Sequence, residues 1–210
     1  MKRYIHNNYK KYVNIQKKHV SNHMNALKEA GINDPNGDGS GWVKKEYLDR
    51  IVDKAGNYLN LDDIDFIICH GVRCGYESKY FMDKFGPEKV FSTDLSGDAF
   101  MFDRANFYAQ DFDTLPNEWL GKFDLLYSNA IDHSRDPINT LITWGKQLKD
   151  DGLMVVTFSW GDKATDCDCF VLENIYEIDN ISLKAGLKLL YRSDQYEGLR
   201  VADAFMRRLK

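Results

Sequence analysis

From residue 64 onward, short apolar runs alternate with stretches of helical spacing. Ile64–Cys69, Lys89–Asp94, Phe107–Gln110, Phe123–Ser128 and Leu153–Ser159 are near-continuous apolar runs, the pattern of strands buried on both faces. Between them, Tyr76–Phe85 and Ile138–Leu148 space their apolar residues as helices do. Strand and helix in alternation predict an α/β fold, a parallel sheet with helices on both faces. A further helix is expected over Val171–Ala185, packing Ile175, Ile178, Ile181 and Leu183. Leu187–Arg192 and Val201–Arg207 read as two more strands. Ser193–Gly198 between them is too short for a parallel crossover, so this last pair is antiparallel.

The first sixty residues carry no strand pattern. Tyr9, Tyr12, Val13, Gln16, Val20, Met24 and Leu27 recur at three- and four-residue steps, which predicts a helix over 3–30 that stops at Gly31. A loop over 33–41 and a second helix over 43–59 follow, with Tyr47, Ile51, Val52 and Ala55 inward. Residues 1–60 are therefore expected as a helical extension on a main domain of 61–210, with Tyr12 and Gln16 as a candidate lid. Asp34–Gly39 imitates the start of a calcium-binding loop. Lys45 stands where the bidentate acid is required, so a plain turn is expected.

The most specific chemistry lies in Ile64–Glu77 and Val90–Asp94: a strand, a glycine turn, a helix, then a second strand ending in an acid. That order is how an α/β sheet holds a nucleoside cofactor. Gly71 and Gly75 let backbone approach the ligand, and Asp94 can accept hydrogen bonds from ribose hydroxyls.

Five segments, in order, resemble the class I S-adenosylmethionine-dependent methyltransferases, the methyltransferase type 11-like group among them, over about residues 60–210. They are the glycine turn; Ser92-Thr-Asp94-Leu95-Ser96; Tyr108-Ala-Gln-Asp111-Phe112 with Leu115-Pro116; Phe123–Pro137; and Leu148–Val156 with its Gly152 turn. The resemblance implies a Rossmann-like seven-stranded sheet ending in an antiparallel hairpin. It implies S-adenosyl-L-methionine as cofactor and methyl transfer to a small-molecule acceptor, such as a sugar or an anionic metabolite. By the same resemblance Gly71, Arg73, Gly75, Glu77, Asp94, Leu95, Asp111, Phe112, Ser128 and Asn129 hold the cofactor, Asp111 at the adenine amino group and Phe112 near the ring. Two positions depart from the family pattern. Cys69 replaces the acid that helps hold the cofactor's ammonium group, and Arg73 replaces the middle glycine. Glu77 is the substitute acid, or simply an acid placed favourably in a first helical turn. Arg73 can meet the methionine carboxylate.

His133 follows the fourth strand of the main domain and is the candidate general base for a hydroxyl or amine acceptor, with Asp132 orienting it or binding substrate. The alternative is a histidine that orders the loop. Trp160 either lines the acceptor pocket or packs in the core. Cation assistance through Asp132 and Asp162 is a minor alternative, and no metal site is expected.

Composition narrows the field further. A chain of 210 residues suffices for one domain with a sizeable core. No apolar run approaches the ~20 residues of a membrane span, and the basic N-terminus lacks the apolar stretch of a signal peptide, so cytoplasmic residence is expected. Cys69, Cys74, Cys167 and Cys169 lack zinc-knuckle spacing and are expected as reduced thiols. A net charge of −4 argues against a broad nucleic-acid surface. No acid precedes Glu29, however, and seven lysines and arginines do, a gradient that favours an anionic acceptor. Two competing functions stand: a degenerate cofactor-binding partner subunit, and a nicotinamide-dependent oxidoreductase, whose Gly-x-Gly-x-x-Gly pattern Arg73 breaks.

Overall fold

Residues that alternate between two covered faces need helices on both sides, and this sheet has them. The computed structural model describes residues 1–29, 43–97, 105–193 and 200–209. The helix stop at Gly31, the loop over 33–41 and the hairpin link at 194–199 lie outside the described residues. The elements run β1 (Lys2–Arg3), α1 (Tyr9–Glu29), α2 (Lys45–Ala55), β2 (Ile67–His70), α3 (Tyr76–Phe85), β3 (Val90–Asp94) and β4 (Phe107–Ala109). They continue with β5 (Phe123–Ser128), α4 (Pro137–Gln147), β6 (Leu148–Ser159), β7 (Phe170–Val171), α5 (Glu177–Lys184), β8 (Leu187–Arg192) and β9 (Val201–Arg208).

The seven-stranded sheet has the order β4-β3-β2-β5-β6-β9-β8. The pairs from β4 to β6 are parallel, and β9 pairs antiparallel with both β6 and β8. This is the predicted Rossmann-like architecture with its antiparallel terminal hairpin. Alternate residues of one strand go to opposite faces. In β5, Leu125 and Tyr127 join the cluster covered by α2 and α3, while Leu126 joins the one holding Trp144 of α4 and Ile178 of α5.

Two expectations are corrected at their ends. The first helix begins at Tyr9, because Lys2–Arg3 pair antiparallel with Phe170–Val171. The same pairing shortens the helix expected over 171–185 to Glu177–Lys184. Val171 and Leu172 continue the apolar spacing of that helix, but they spend it on a strand and on a bridge to Trp160. Trp160 packs partly buried against the core.

On α2, Tyr47, Leu48, Ile51, Val52 and Ala55 are buried. The Tyr47 hydroxyl, which burial keeps protonated, donates to Asp203 Oδ1 and also meets Thr157 Oγ1 at 2.9 Å. Thr157 Oγ1 donates to the same Asp203 oxygen at 2.8 Å, so one buried knot ties α2 to β6 and β9. Among the described residues, no helix is long and apolar enough to cross a membrane.

Candidate active site

Sheet order reverses at β2: β3 lies on one side of it and β5 on the other. In an open α/β sheet, ligands bind at such a point, beyond the carboxyl ends of the strands. The turn after β2 fills that position. Gly71 takes φ +70 and Gly75 φ +93. The N–H of Gly71 donates to the Thr93 carbonyl at 2.8 Å, which ties the turn to β3. A Cβ on Gly71 would lie 2.4 Å from Ala130 Cβ and 3.1 Å from the Phe112 ring. Only glycine fits there. Arg73, which replaces an expected glycine, still holds φ +48. A left-handed non-glycine residue costs about 1–2 kcal/mol, so the surrounding contacts impose the glycine-like turn.

Asp94, at the end of β3, is the main such contact. Its Oδ2 accepts the Arg73 N–H at 2.8 Å, and its Oδ1 accepts the Ser96 N–H at 2.7 Å. Each oxygen keeps a second lone pair. The residue is buried, and burial raises its pKa against the opposing pull of those two backbone donors and of Arg73.

Two adjoining lobes open here. The inner one is narrow, enclosing about 40 Å³, and has Gly71, Arg73, Asp94, Leu95 and Phe112 on one side. Tyr12, Gln16, His19 and Val20 of α1 close the other side, with Ala130 and His133 between. The outer lobe, about 340 Å³ and open to solvent, is shaped by Asn129, Asp132, Thr157, Ser159, Asp162, Asp168 and Arg200. His19, Arg73, Ala130 and His133 border both.

Of the residues singled out in the sequence, Gly71, Arg73, Asp94, Leu95, Phe112, Asn129, Asp132 and His133 meet in these lobes. Gly75 instead caps the start of α3. Glu77 stands behind Asn129, whose Nδ2 donates to Glu77 Oε1 at 2.7 Å, and burial raises the Glu77 pKa. Ser128 is buried and structural: its hydroxyl donates to the His70 carbonyl at 3.0 Å and accepts the Ala130 N–H at 3.2 Å. Asp111 lines neither lobe and lies 3.9 Å from Arg135. Cys69 is fully buried among the apolar residues beneath α2 and α3, so it leaves no polar group where the family has an acid. Lys10, Lys11 and Lys18 face a separate shallow depression on α1 and touch neither lobe.

His133 has its Nδ1 engaged within the protein, while its Nε2 makes only a long contact. Nδ1 lies 3.1 Å from the Cys167 carbonyl and 3.4 Å from Asp168 Oδ1, and Nε2 lies 4.0 Å from Asp132 Oδ1. The Tyr12 hydroxyl donates to the His133 carbonyl at 3.1 Å, joining α1 to this corner. Sequence reading missed His19, Asp168 and Arg200. They reach the site by docking of distant segments, which leaves no local signal.

Beneath the floor, His70 is wholly buried. Nδ1 meets Thr93 Oγ1 at 2.7 Å, Nε2 meets Gln147 Oε1 at 2.8 Å, and the ring stacks on Trp144 at 4.8 Å. Burial lowers its pKa from 6.5 to about 4. The unfolded chain therefore takes up this proton first. The stabilisation is intact above pH 6.5 and is lost as pH falls towards 4, by about 3 kcal/mol in full. Glu77, Asp94, Asp132 and Asp203 are shifted upward and act in the opposite direction. They are common to wild type and a His70→Gln variant, so the difference between the two isolates the histidine. In urea titrations the variant should be the less stable at pH 7, and the gap should narrow steadily towards pH 4. A constant gap would show that His70 does not titrate in this way.

The sequence matches no family model and no curated protein. Solved structures do share the fold. An S-adenosylmethionine-dependent methyltransferase from Clostridium acetobutylicum is 14% identical with a TM-score of 0.65, the match covering 88% of this chain and 99% of that one. A Burkholderia thailandensis 1,6-didemethyltoxoflavin-N1-methyltransferase, with 1,6-didemethyltoxoflavin and S-adenosylhomocysteine bound, is 14% identical at a TM-score of 0.62 over 90% of each chain. The [4+2]-cyclase SpnF is 14% identical at 0.63, over 78% of this chain and 82% of that one. At these identities the likeness is one of fold.

Proposed function

We propose that this chain, which has the fold of the class I S-adenosylmethionine-dependent methyltransferases, binds S-adenosylmethionine in the two-lobed crevice and transfers its methyl group to a small-molecule acceptor. One observation carries the reading. Asp94 is buried at the end of β3, braced by the N–H of Arg73, and faces a lobe whose opposite edge is the Gly71 turn. Its free lone pairs suit the two ribose hydroxyls, and the Phe112 ring gives an apolar face for the adenine. The Cβ-free surface of Gly71 lets the nucleoside lie against backbone. Glu77, Asp94 and Asp132 are all costly to ionise where they stand, because burial raises each pKa. A ligand bearing a sulfonium and an ammonium offsets that cost. Glu77 with Asn129 takes the ammonium in place of the missing acid at Cys69, and Arg73 takes the carboxylate.

When bound, the sulfonium supplies an activated methyl group and a neutral thioether leaving group. The protein's part is to position and to exclude water. Helix α1 does both: Tyr12, Gln16, His19 and Val20 cover the inner lobe. The acceptor enters the outer lobe, where Arg200, Asp162 and Asp168 give polar contacts of both signs. The lysines of α1 act on an anionic acceptor only at long range.

A second reading has its own support. In it the chain holds the cofactor without turning it over: Cys69 offers no acid, and a protein described as a [4+2]-cyclase shares this fold. Calorimetric titration with S-adenosylmethionine, S-adenosylhomocysteine and NAD, followed by an acceptor panel, decides. The methyltransferase reading requires binding of the first two, weak or no binding of NAD, and release of S-adenosylhomocysteine with at least one acceptor. Preference for NAD would overturn it.

A further inference from the structure

At the rim of the outer lobe, three side chains bring their donor atoms close together. His133 Nδ1 lies 3.9 Å from Cys167 Sγ and 3.4 Å from Asp168 Oδ1. All three donor atoms lie within 4.8 Å of one another. Around a tetrahedral zinc with Zn–S of about 2.3 Å and Zn–N or Zn–O of about 2.0–2.1 Å, neighbouring donors stand roughly 3.3–3.6 Å apart. The two separations from His133 Nδ1 already lie within a few tenths of an ångström of that spacing. We propose that His133, Cys167 and Asp168 form a binding site for a borderline divalent cation of the zinc type, with the fourth position left to solvent or to a ligand in the outer lobe.

The surroundings fit a ligand set. The Thr165 hydroxyl accepts the N–H of Cys167 at 3.2 Å and of Asp168 at 2.8 Å, which presents both side chains on one tight turn. Gln16 of α1 clamps that turn, its Nε2 donating to the Cys167 carbonyl at 2.8 Å. On the far side of the imidazole, Asp132 Oδ1 is sealed from solvent without a hydrogen-bond partner, 4.0 Å from Nε2. A histidine that ligates through Nδ1 must carry its proton on Nε2, and metal-bound histidines characteristically give that proton to a carboxylate. Asp132 is the carboxylate on that side, and a closer approach from its 4.0 Å separation would let it accept that proton. Without the cation, the Cys167 carbonyl, its sulfur and Asp168 all crowd one ring nitrogen. A sulfur, a nitrogen and one carboxylate select zinc-like metals over magnesium or calcium. Binding requires the Cys167 thiolate, so its proton passes to solvent. The ligands come from a turn after β5 and a Cys-Asp pair before β7, so cysteine spacing gives no hint of them. A ligating His133 is no general base, and the site stands whether or not the crevice binds S-adenosylmethionine.

Cobalt titration of the reduced full-length chain tests this without any cofactor. Near-stoichiometric uptake with a thiolate-to-cobalt absorption band is expected, and the band should vanish in Cys167→Ser. Zinc should displace the cobalt and excess magnesium should not. Asp168→Asn alters a half-exposed side chain and leaves the fold intact. It should weaken affinity by more than the roughly 10- to 100-fold that an outer-shell loss such as Asp132→Asn costs. Cys74→Ser should keep the band. The proposal fails if the wild type shows no band, if magnesium displaces the cobalt, or if the band survives Cys167→Ser and disappears in Cys169→Ser.

Discussion

Gly71→Ala should abolish measurable binding of S-adenosylhomocysteine. The new methyl group would sit 2.4 Å from Ala130 Cβ and 3.1 Å from Phe112, and all three positions border the inner lobe. Neither neighbour is the free end of a flexible chain, so β2 and β5 must part at their carboxyl ends or the Phe112 ring must turn into the lobe. Overpacking of this kind costs about 1–3 kcal/mol, and φ +70 adds about 1–2 kcal/mol for a residue with a Cβ. A loss in affinity beyond about a hundredfold, some 2.8 kcal/mol, is expected by calorimetry. Gly186→Ala is the control. Gly186 has the same φ of +70, but a Cβ there meets nothing within 4 Å. It should incur the backbone cost and leave ligand affinity unchanged. Equal affinities in wild type and Gly71→Ala would mean that the ligand does not lie against this turn.

Asp94→Ala should weaken the cofactor by at least tenfold. Loss of a charge-assisted hydrogen bond is worth about 1.5–3 kcal/mol, and 1.4 kcal/mol is a factor of ten. The substitution also orphans the N–H groups of Arg73 and Ser96, which Asp94 now receives. Some stability loss should accompany it, because Arg73 is held in a left-handed conformation largely by that bond. Asp94→Asn separates the two effects. Its side-chain oxygen can still accept one backbone donor, but it brings no charge to the ribose. Affinity should fall in both variants, with stability recovering in part in the asparagine form. Unchanged affinity in both would remove Asp94 from the pocket.

The sheet was legible because its central strands are buried on both faces, so Ile67–His70 and Phe123–Ser128 read as largely apolar runs. The two-residue pairing of β1 with β7 was not legible. Lys2 and Arg3 carry no apolar pattern, and Phe170–Val171 borrow the periodicity of the helix beyond them. In the site, Gly71 and Asp94 were legible because a glycine turn and a strand-ending acid are local signals. Tyr12 and Gln16 lie on an apolar stripe that reads either as core packing or as a lid; both are buried, and their helix lines the inner lobe. Asp168 and Arg200 sit on segments that meet only after β9 inserts beside β6. Ser128 misleads in the opposite sense. It stands where a ligand contact was expected and is spent on bracing β5 against β2.

A crystal structure of the full-length chain grown with S-adenosylhomocysteine tests the central claim most directly. The account predicts ribose hydroxyls on Asp94, the nucleoside against Gly71 and under α1, and the ammonium beside Glu77 and Asn129. A crevice blocked by the Arg73 side chain, or the nucleoside bound anywhere else, would contradict it.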